Sequence, residues 1–205
     1  MIYKIISKVI DISLKPLLPL IISLEQVGFV EGRQILDGII LVHETIHSLK
    51  ATRTPGMLLK LDLSKSYDKL NWQFLGGILK AFGFAEDWTN WIMNMVSSAF
   101  FSIFVNGSPS SPFNTTRGIR QGDPLSPFLF IIMTEGLGRM LKNRRAENKI
   151  QGLSLTEGMD PQTHQQFMDG NMLMGPSLVH EARGIKDCLN IFLEASDLEI
   201  NKEKS

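Results

Sequence analysis

A chain of 205 residues with 43% hydrophobic content is long enough to bury a real core, as one domain or two small ones, and too apolar to be a disordered tail. Its 21 basic and 21 acidic residues give a formal net charge of zero, so no global field announces a nucleic acid or an anionic membrane, and either partner has to be met locally. The single cysteine, Cys188, excludes an internal disulfide. With no Cys or His cluster at zinc-finger spacing this points to a reducing compartment, and Cys188 reads as core packing.

The first stretch, MIYKIISKVIDISLKPLLPLIISLEQ, is apolar, but Lys4, Lys8, Asp11 and Lys15 interrupt it and two prolines follow, which excludes a signal peptide or a spanning helix. In residues 31–50, Ile35, Leu36, Ile39, Ile40, Ile46 and Leu49 recur at helical spacing and predict an amphipathic helix. After TRTPG, the run MLLKLDL predicts a strand with Lys60 and Asp62 on one face and Leu59, Leu61 and Leu63 on the other, so Asp62 is a carboxylate on a largely buried strand. NWQFLGGILKAFG and EDWTNWIMNMVSSAF read as helices, and FFSIFVNGSPSSPF as a strand, an Asn-Gly turn and a second extended piece. The polar loop NTTRGIRQGDPLSP leads into a helix from Leu125 to Ala146, with Pro124 and Pro127 suited to its first turn. IQGLSL follows, then HQQFMDGNML, where Asp169-Gly170 predicts a hairpin turn whose central positions need φ > 0. A helix from Leu178 to Ala195 and a short strand, LEIN, complete an α+β order compatible with a split βαβ unit carrying carboxylates on adjacent central strands.

One motif points to a different enzyme class. HETIH, His43 to His47, matches H-E-x-x-H, which on a helix puts two histidines on one side as a zinc peptidase requires. A zinc site needs a third ligand, yet Lys50 and Arg53 stand where the longer metzincin pattern has Gly and His, and His164 and His180 are far away in sequence. His43, Glu44 and His47 therefore read first as polar positions on a packed helix.

Asp62 and Asp169 each lie in a short apolar strand, where a carboxylate is costly unless compensated. A divalent cation would compensate both. Mg²⁺ takes oxygen ligands, and a pair of ions stabilises the attacking and leaving oxygens of phosphoryl transfer. LLKLDLSKSYDKLNW, RGIRQGDPLSPFLFIIMTEGL, QFMDGNMLMG and LEINKEKS, in this order, resemble the reverse transcriptase of plant LINE-type (non-LTR) retrotransposons, and the resemblance covers nearly the whole chain.

That resemblance implies a polymerase fingers-palm fold with a ferredoxin-like split βαβ palm, residues 1–55 belonging to the fingers and 56–205 to the palm with interleaved fingers elements. It implies an RNA-directed DNA polymerase acting on an RNA template, a DNA primer and deoxynucleoside triphosphates with two Mg²⁺ ions, with no membrane, in the nucleus or cytoplasm, and it lets no specific protein partner be inferred. Asp62 and Asp169 become the metal-binding catalytic carboxylates, Tyr67 the steric gate under the incoming sugar, and Asp68 a structural acid. Gln121 and Gly122 seat the base pair, Lys204 stands near the triphosphate, and Arg33 is a phosphate contact from the fingers side. The family's hairpin reads aromatic-x-Asp-Asp, whereas Phe167-Met168-Asp169-Gly170 has glycine at the second aspartate. Glycine suits the expected turn, while one carboxylate leaves the metal site; Asn171 offers a neutral oxygen only if the turn changes. Ser13 replaces an expected arginine, and the basic thumb and any endonuclease domain are absent from these residues. This copy is therefore expected to be weak or inactive, the alternative being an inert remnant with residual nucleic-acid binding.

Overall fold

The computed structural model describes residues 2–154, 159–168 and 170–205. Its centre is a sheet of four strands, β1 (Gly56–Ser64), β6 (His164–Phe167), β7 (Gly170–Pro176) and β8 (Glu199–Ile200), in the order β6-β7-β1-β8 with every pairing antiparallel. Helix α7 (Ser126–Ala146) connects β1 to the β6–β7 hairpin, and α8 (Val179–Ser196) connects that hairpin to β8. This βαββαβ order with β1 central is the split βαβ arrangement expected from sequence.

Helix α7 is buried from Phe128 to Gly138, where its sequence is apolar nearly all round, and turns amphipathic beyond Arg139. Leu129, Phe130, Ile131 and Ile132 have almost no exposed surface and join Leu61, Leu63 and Leu173 of the sheet in the main core. Helix α5 (Trp72–Ala81) packs on α7's flank and α6 (Glu86–Ser97) on α5; the Asn71 side chain caps α5 by accepting from the Phe74 N–H at 3.0 Å. Between α6 and α7, β2 (Phe100–Phe101) pairs with β5 (Phe113–Asn114), and β3 (Phe104–Val105) with β4 (Ser108–Pro109) around Asn106-Gly107. Toward the amino terminus lie α1 (Ile2–Leu14), a 3-10 turn, α2 (Leu18–Ile21) and α3 (Ile35–Thr52). No described helix is long and apolar enough to cross a membrane.

Three expectations need correcting. The predicted apolar face of α3 is turned outward in the helix's first half, where Ile35, Leu36, Ile39 and Ile40 are exposed; Ile46 and Leu49 are partly buried against a small second core, and Gly38, Val42 and Thr45 face the protein. The helix crosses β6 so closely that a Cβ on Gly38 would lie 2.8 Å from the Gln165 and Phe167 side chains, so at this end the contact line follows the smallest residue instead of Ile35, Ile39 and Ile40. Leu59 is exposed, because β8 pairs only with Leu63 and Ser64 and leaves that end of β1 an open edge. The hairpin turn is also shifted by one residue. Gly170 pairs with Phe167 as the first residue of β7, its backbone is not left-handed, and the positive φ of 64° belongs to Met168. Asp169 lies outside the described residues.

Candidate active site

The β1–β7 register sets Asp62 directly opposite Gly170, so side chains at the two positions share one face of the sheet. Asp62 is half-buried, and both of its backbone groups are engaged: the N–H donates to Ser205 Oγ at 3.0 Å and the carbonyl accepts from the Asn201 N–H at 2.8 Å. Its carboxylate has no hydrogen bond or ion pair among the described residues. A hard oxygen donor left open in this way is the chemistry that a divalent cation takes.

After β1 the chain turns sharply at Lys65, whose φ of 48° is left-handed, into the single-turn helix α4 (Ser66–Lys69), which the sequence pattern did not reveal. This turn lays the Tyr67 ring on Phe130 of α7, with centroids 5.1 Å apart and planes 17° from parallel. The loop after β5 is strapped onto α4. Ile119 N–H donates to the Tyr67 carbonyl at 2.7 Å, Gly118 N–H to the Leu70 carbonyl at 2.8 Å, and Trp72 Nε1–H to the Gly118 carbonyl at 2.6 Å. Gly118 has φ +86°, and a Cβ there would lie 2.7 Å from the Asp68 carbonyl oxygen, so only glycine allows this approach. The strap delivers Gln121, whose Nε2 donates to Asp68 Oδ1 at 3.1 Å, and then Gly122, at φ +75° beside open space.

The far side of this loop is held by residues that sequence reasoning did not single out. Asp123 is buried and accepts from Tyr3 Oη at 3.3 Å and from Ser7 Oγ, both on α1, while the Arg120 guanidinium stacks over the Tyr3 ring at 4.0 Å. Burial first, and the Asp123 charge second, push the Tyr3 phenol up to about 12. The acid before Pro124 was legible as a loop residue. Its partners, more than a hundred positions away, carried no local signal.

Asp62, Tyr67, Gln121 and Lys204 line a single cleft of about 400 Å³, with Ser64 and Asn201 in its wall. Four of the residues read from the sequence thus converge. Gly122 sits beside Gln121, outside the lining. Arg33 is elsewhere: its guanidinium donates to the carbonyls of Ile22 at 2.8 Å, Gln26 at 2.7 Å and Ser23, so it ties down the preceding segment where a free phosphate contact was expected.

The hairpin beside the cleft is buttressed from the same segment. Gln166 N–H donates to the Glu25 carbonyl at 2.8 Å, Val27 N–H to the Gln166 carbonyl at 3.1 Å, and Gln26 Oε1 accepts from the Met168 N–H at 3.2 Å. Asn171, on the opposite face from Gly170, is buried with its Oδ1 accepting from Gln166 Nε2 at 2.9 Å, so its oxygen is already used. His43, Glu44 and His47 are exposed on α3, and no group of three or more His, Cys, Asp or Glu side chains able to hold a metal occurs among the described residues.

The reverse transcriptase (RNA-dependent DNA polymerase) family matches this chain over residues 1–205. The chain belongs to the reverse transcriptase family. This reverse transcriptase-family chain is 31% identical over 203 residues to the 149 kDa protein of transposon TX1 from Xenopus laevis, covering 99% of the chain and 15% of that protein. It is 29% identical over 102 residues to the Pol polyprotein of the type-1 retrotransposable element R2 from Popillia japonica, covering 48% of the chain and 17% of that protein. The chain thus spans less than a fifth of the length of these two curated relatives. A mitochondrial protein of Arabidopsis thaliana is 35% identical over 71 residues, 34% of the chain and 58% of that protein. Among solved structures, apo telomerase from Candida tropicalis superposes with a TM-score of 0.64 at 14% identity over 96% of this chain and 38% of that one. At that identity the likeness establishes the fold, a polymerase fingers-palm.

Proposed function

We propose that the Asp62 cleft is the nucleotide-addition site of an RNA-directed DNA polymerase from a plant-type non-LTR element, residues 1–55 serving as fingers and 56–205 as palm with interleaved fingers elements. The observation that carries this reading is the convergence of Asp62, Tyr67, Gln121 and Lys204 on one cleft. Its substrates are then an RNA template, a primer with a free 3′-OH and a deoxynucleoside triphosphate. The Arabidopsis likeness supports the plant source.

In this reading Tyr67, fixed by its stack on Phe130, forms the cleft wall beneath the incoming sugar and excludes a 2′-hydroxyl by bulk. Gln121, steadied by Asp68, and the unobstructed Gly122 backbone let the nascent base pair approach closely. The Lys204 ammonium neutralises the triphosphate and protonates the departing pyrophosphate. Asp62, whose carboxylate is uncommitted, and Asp169, by its place in the sequence, would hold Mg²⁺, which supplies charge neutralisation at the attacking and leaving oxygens.

Gly170 removes a carboxylate from the position facing Asp62, and this chain is accordingly a weak polymerase. Loss of even an outer partner of a metal site typically costs about 10–100-fold. The test is Mg²⁺-dependent primer extension on an RNA template at low salt, comparing the chain with Gly170→Asp. Extension raised at least about tenfold by Gly170→Asp is the expected result. Equal, robust extension by both would show that the glycine is no lesion, and no extension by either would count against the polymerase reading of this chain.

A further inference from the structure

The ribbon formed by residues 100–114 leaves its aromatic side chains uncovered: Phe100 is 69% and Phe104 73% exposed, and Phe101 and Phe113, with ring centroids 6.3 Å apart, are about half exposed. Two-residue ladders are marginal in water by themselves, and solvent-facing phenylalanines on them contribute nothing to the core. At the foot of the ribbon, Phe100 and Phe101 wall a cleft of about 560 Å³ whose other side is Arg120 and Gln121. Gln121 also lines the Asp62 cleft, so the two spaces meet at one side chain. Arg117 opens onto the same region beside Phe101, and neither Arg117 nor Arg120, whose guanidinium stacks over the Tyr3 ring, forms an ion pair among the described residues. The carboxylate nearby, Asp68, is engaged by Gln121.

Aromatic faces next to guanidinium groups that no carboxylate pairs with are what an unpaired nucleotide strand uses, bases stacking on rings and phosphates meeting arginine, with little dependence on base identity. A protein partner would account for the exposed rings but not for the arginines or for the junction at Gln121. We propose that Phe100 and Phe101, with Arg117 and Arg120, form a stacking platform for an unpaired single strand of nucleic acid. If the Asp62 cleft adds nucleotides, on which reading the direction of the strand rests, this is the template ahead of the site.

The experiment is fluorescence anisotropy with a labelled 12-nucleotide single-stranded RNA and the same RNA annealed to DNA, using the whole chain. Replacing both phenylalanines, Phe100→Ala with Phe101→Ala, is expected to weaken single-strand binding by about 5- to 100-fold. Arg117→Gln is expected to lower the slope of log affinity against log salt by about 0.7, the value for one phosphate contact on a single strand. Binding to the annealed duplex is expected to change by less than about twofold in the phenylalanine variant. Circular dichroism shows that each variant is folded, and the arginine variant tests the platform without touching the ribbon. Single-strand binding unchanged in both folded variants, or absent from the unmodified chain, would overturn the proposal. So would a concentration-dependent dimer abolished by the phenylalanine changes, which would make the ribbon a contact between copies. Binding is read without catalysis, so a failure of primer extension and a failure of the platform appear in different assays.

Discussion

A carboxylate placed at residue 170 would stand across from Asp62 on the adjacent strand, their Cβ atoms about 4.5–5.5 Å apart. The nearest atoms to a Cβ there are the Phe167 carbonyl oxygen at 3.7 Å and its Cβ at 4.0 Å, so the side chain has room. Gly170→Asp is expected to fold, to lose about 0.2–1 kcal/mol from like charges placed opposite each other in metal-free buffer, and to recover that loss when Mg²⁺ is added. Thermal melts of both proteins with and without Mg²⁺ check this, the unmodified chain showing the smaller metal response. Tyr67→Ala removes the ring stacked on Phe130. In the Gly170→Asp background it is expected to raise ribonucleotide relative to deoxyribonucleotide incorporation at least about tenfold, a free-energy difference of about 1.4 kcal/mol, read from competing primer extensions. Asp62, Tyr67, Gln121 and Lys204, which line one cleft, were singled out by the resemblance to reverse transcriptases; of the four, only Asp62 was marked by its strand alone. Arg33 was not legible in the same way. An arginine at a helix start looks alike whether its guanidinium meets solvent or, as here, three carbonyls of the segment seven to eleven residues before it.

Elements were legible where pattern alone dictates them and less so where contact geometry does. Helix α7 begins within one residue of its expected start, because a proline in the first turn and the unbroken apolar run from Phe128 to Met133 leave little choice. The orientation of α3 depended on how closely it could approach β6, which Gly38 decides and no periodicity encodes. The hairpin turn was read as Asp169-Gly170 from local chemistry, whereas the β6–β7 pairing places Phe167 opposite Gly170, and the left-handed residue is Met168. Register set by seven cross-strand pairs outweighs a dipeptide preference. At the level of the loop, Gly118→Ala forces a Cβ to 2.7 Å from the Asp68 carbonyl oxygen at a left-handed φ. A loss of about 1–3 kcal/mol is expected. That is a fall of about 2–12 °C in Tm at the 2–4 °C per kcal/mol usual for this size, checked by calorimetry.

Across the whole molecule, stability is tied to pH through His164, which is wholly buried with its Nδ1 2.9 Å from Thr163 Oγ1. Burial pushes the imidazole from 6.5 down to about 4, against the charge of Glu25 and with that of Lys142. A depressed histidine binds its proton more readily when the chain is unfolded, so its contribution is intact above pH 6.5 and is lost as pH falls through about 4. Tm is expected to decline over that window, and His164→Gln to flatten the decline, whatever its effect at neutral pH; melts at half-unit pH steps test it. The pairing of β1 has a further consequence, for the time at which the cleft exists. Its neighbours, β7 and β8, begin more than a hundred residues further along the chain. A ribosome therefore releases GMLLKLDLS as a bare, aggregation-prone edge and keeps it so until residues 170–176 emerge. Non-local pairing of this kind is slow, so the Leu63–Ser64 end of β1 is paired on both sides only after residues 199–200 have left the ribosome. A nascent chain shorter than that carries Asp62 but has no assembled cleft with which to hold a strand.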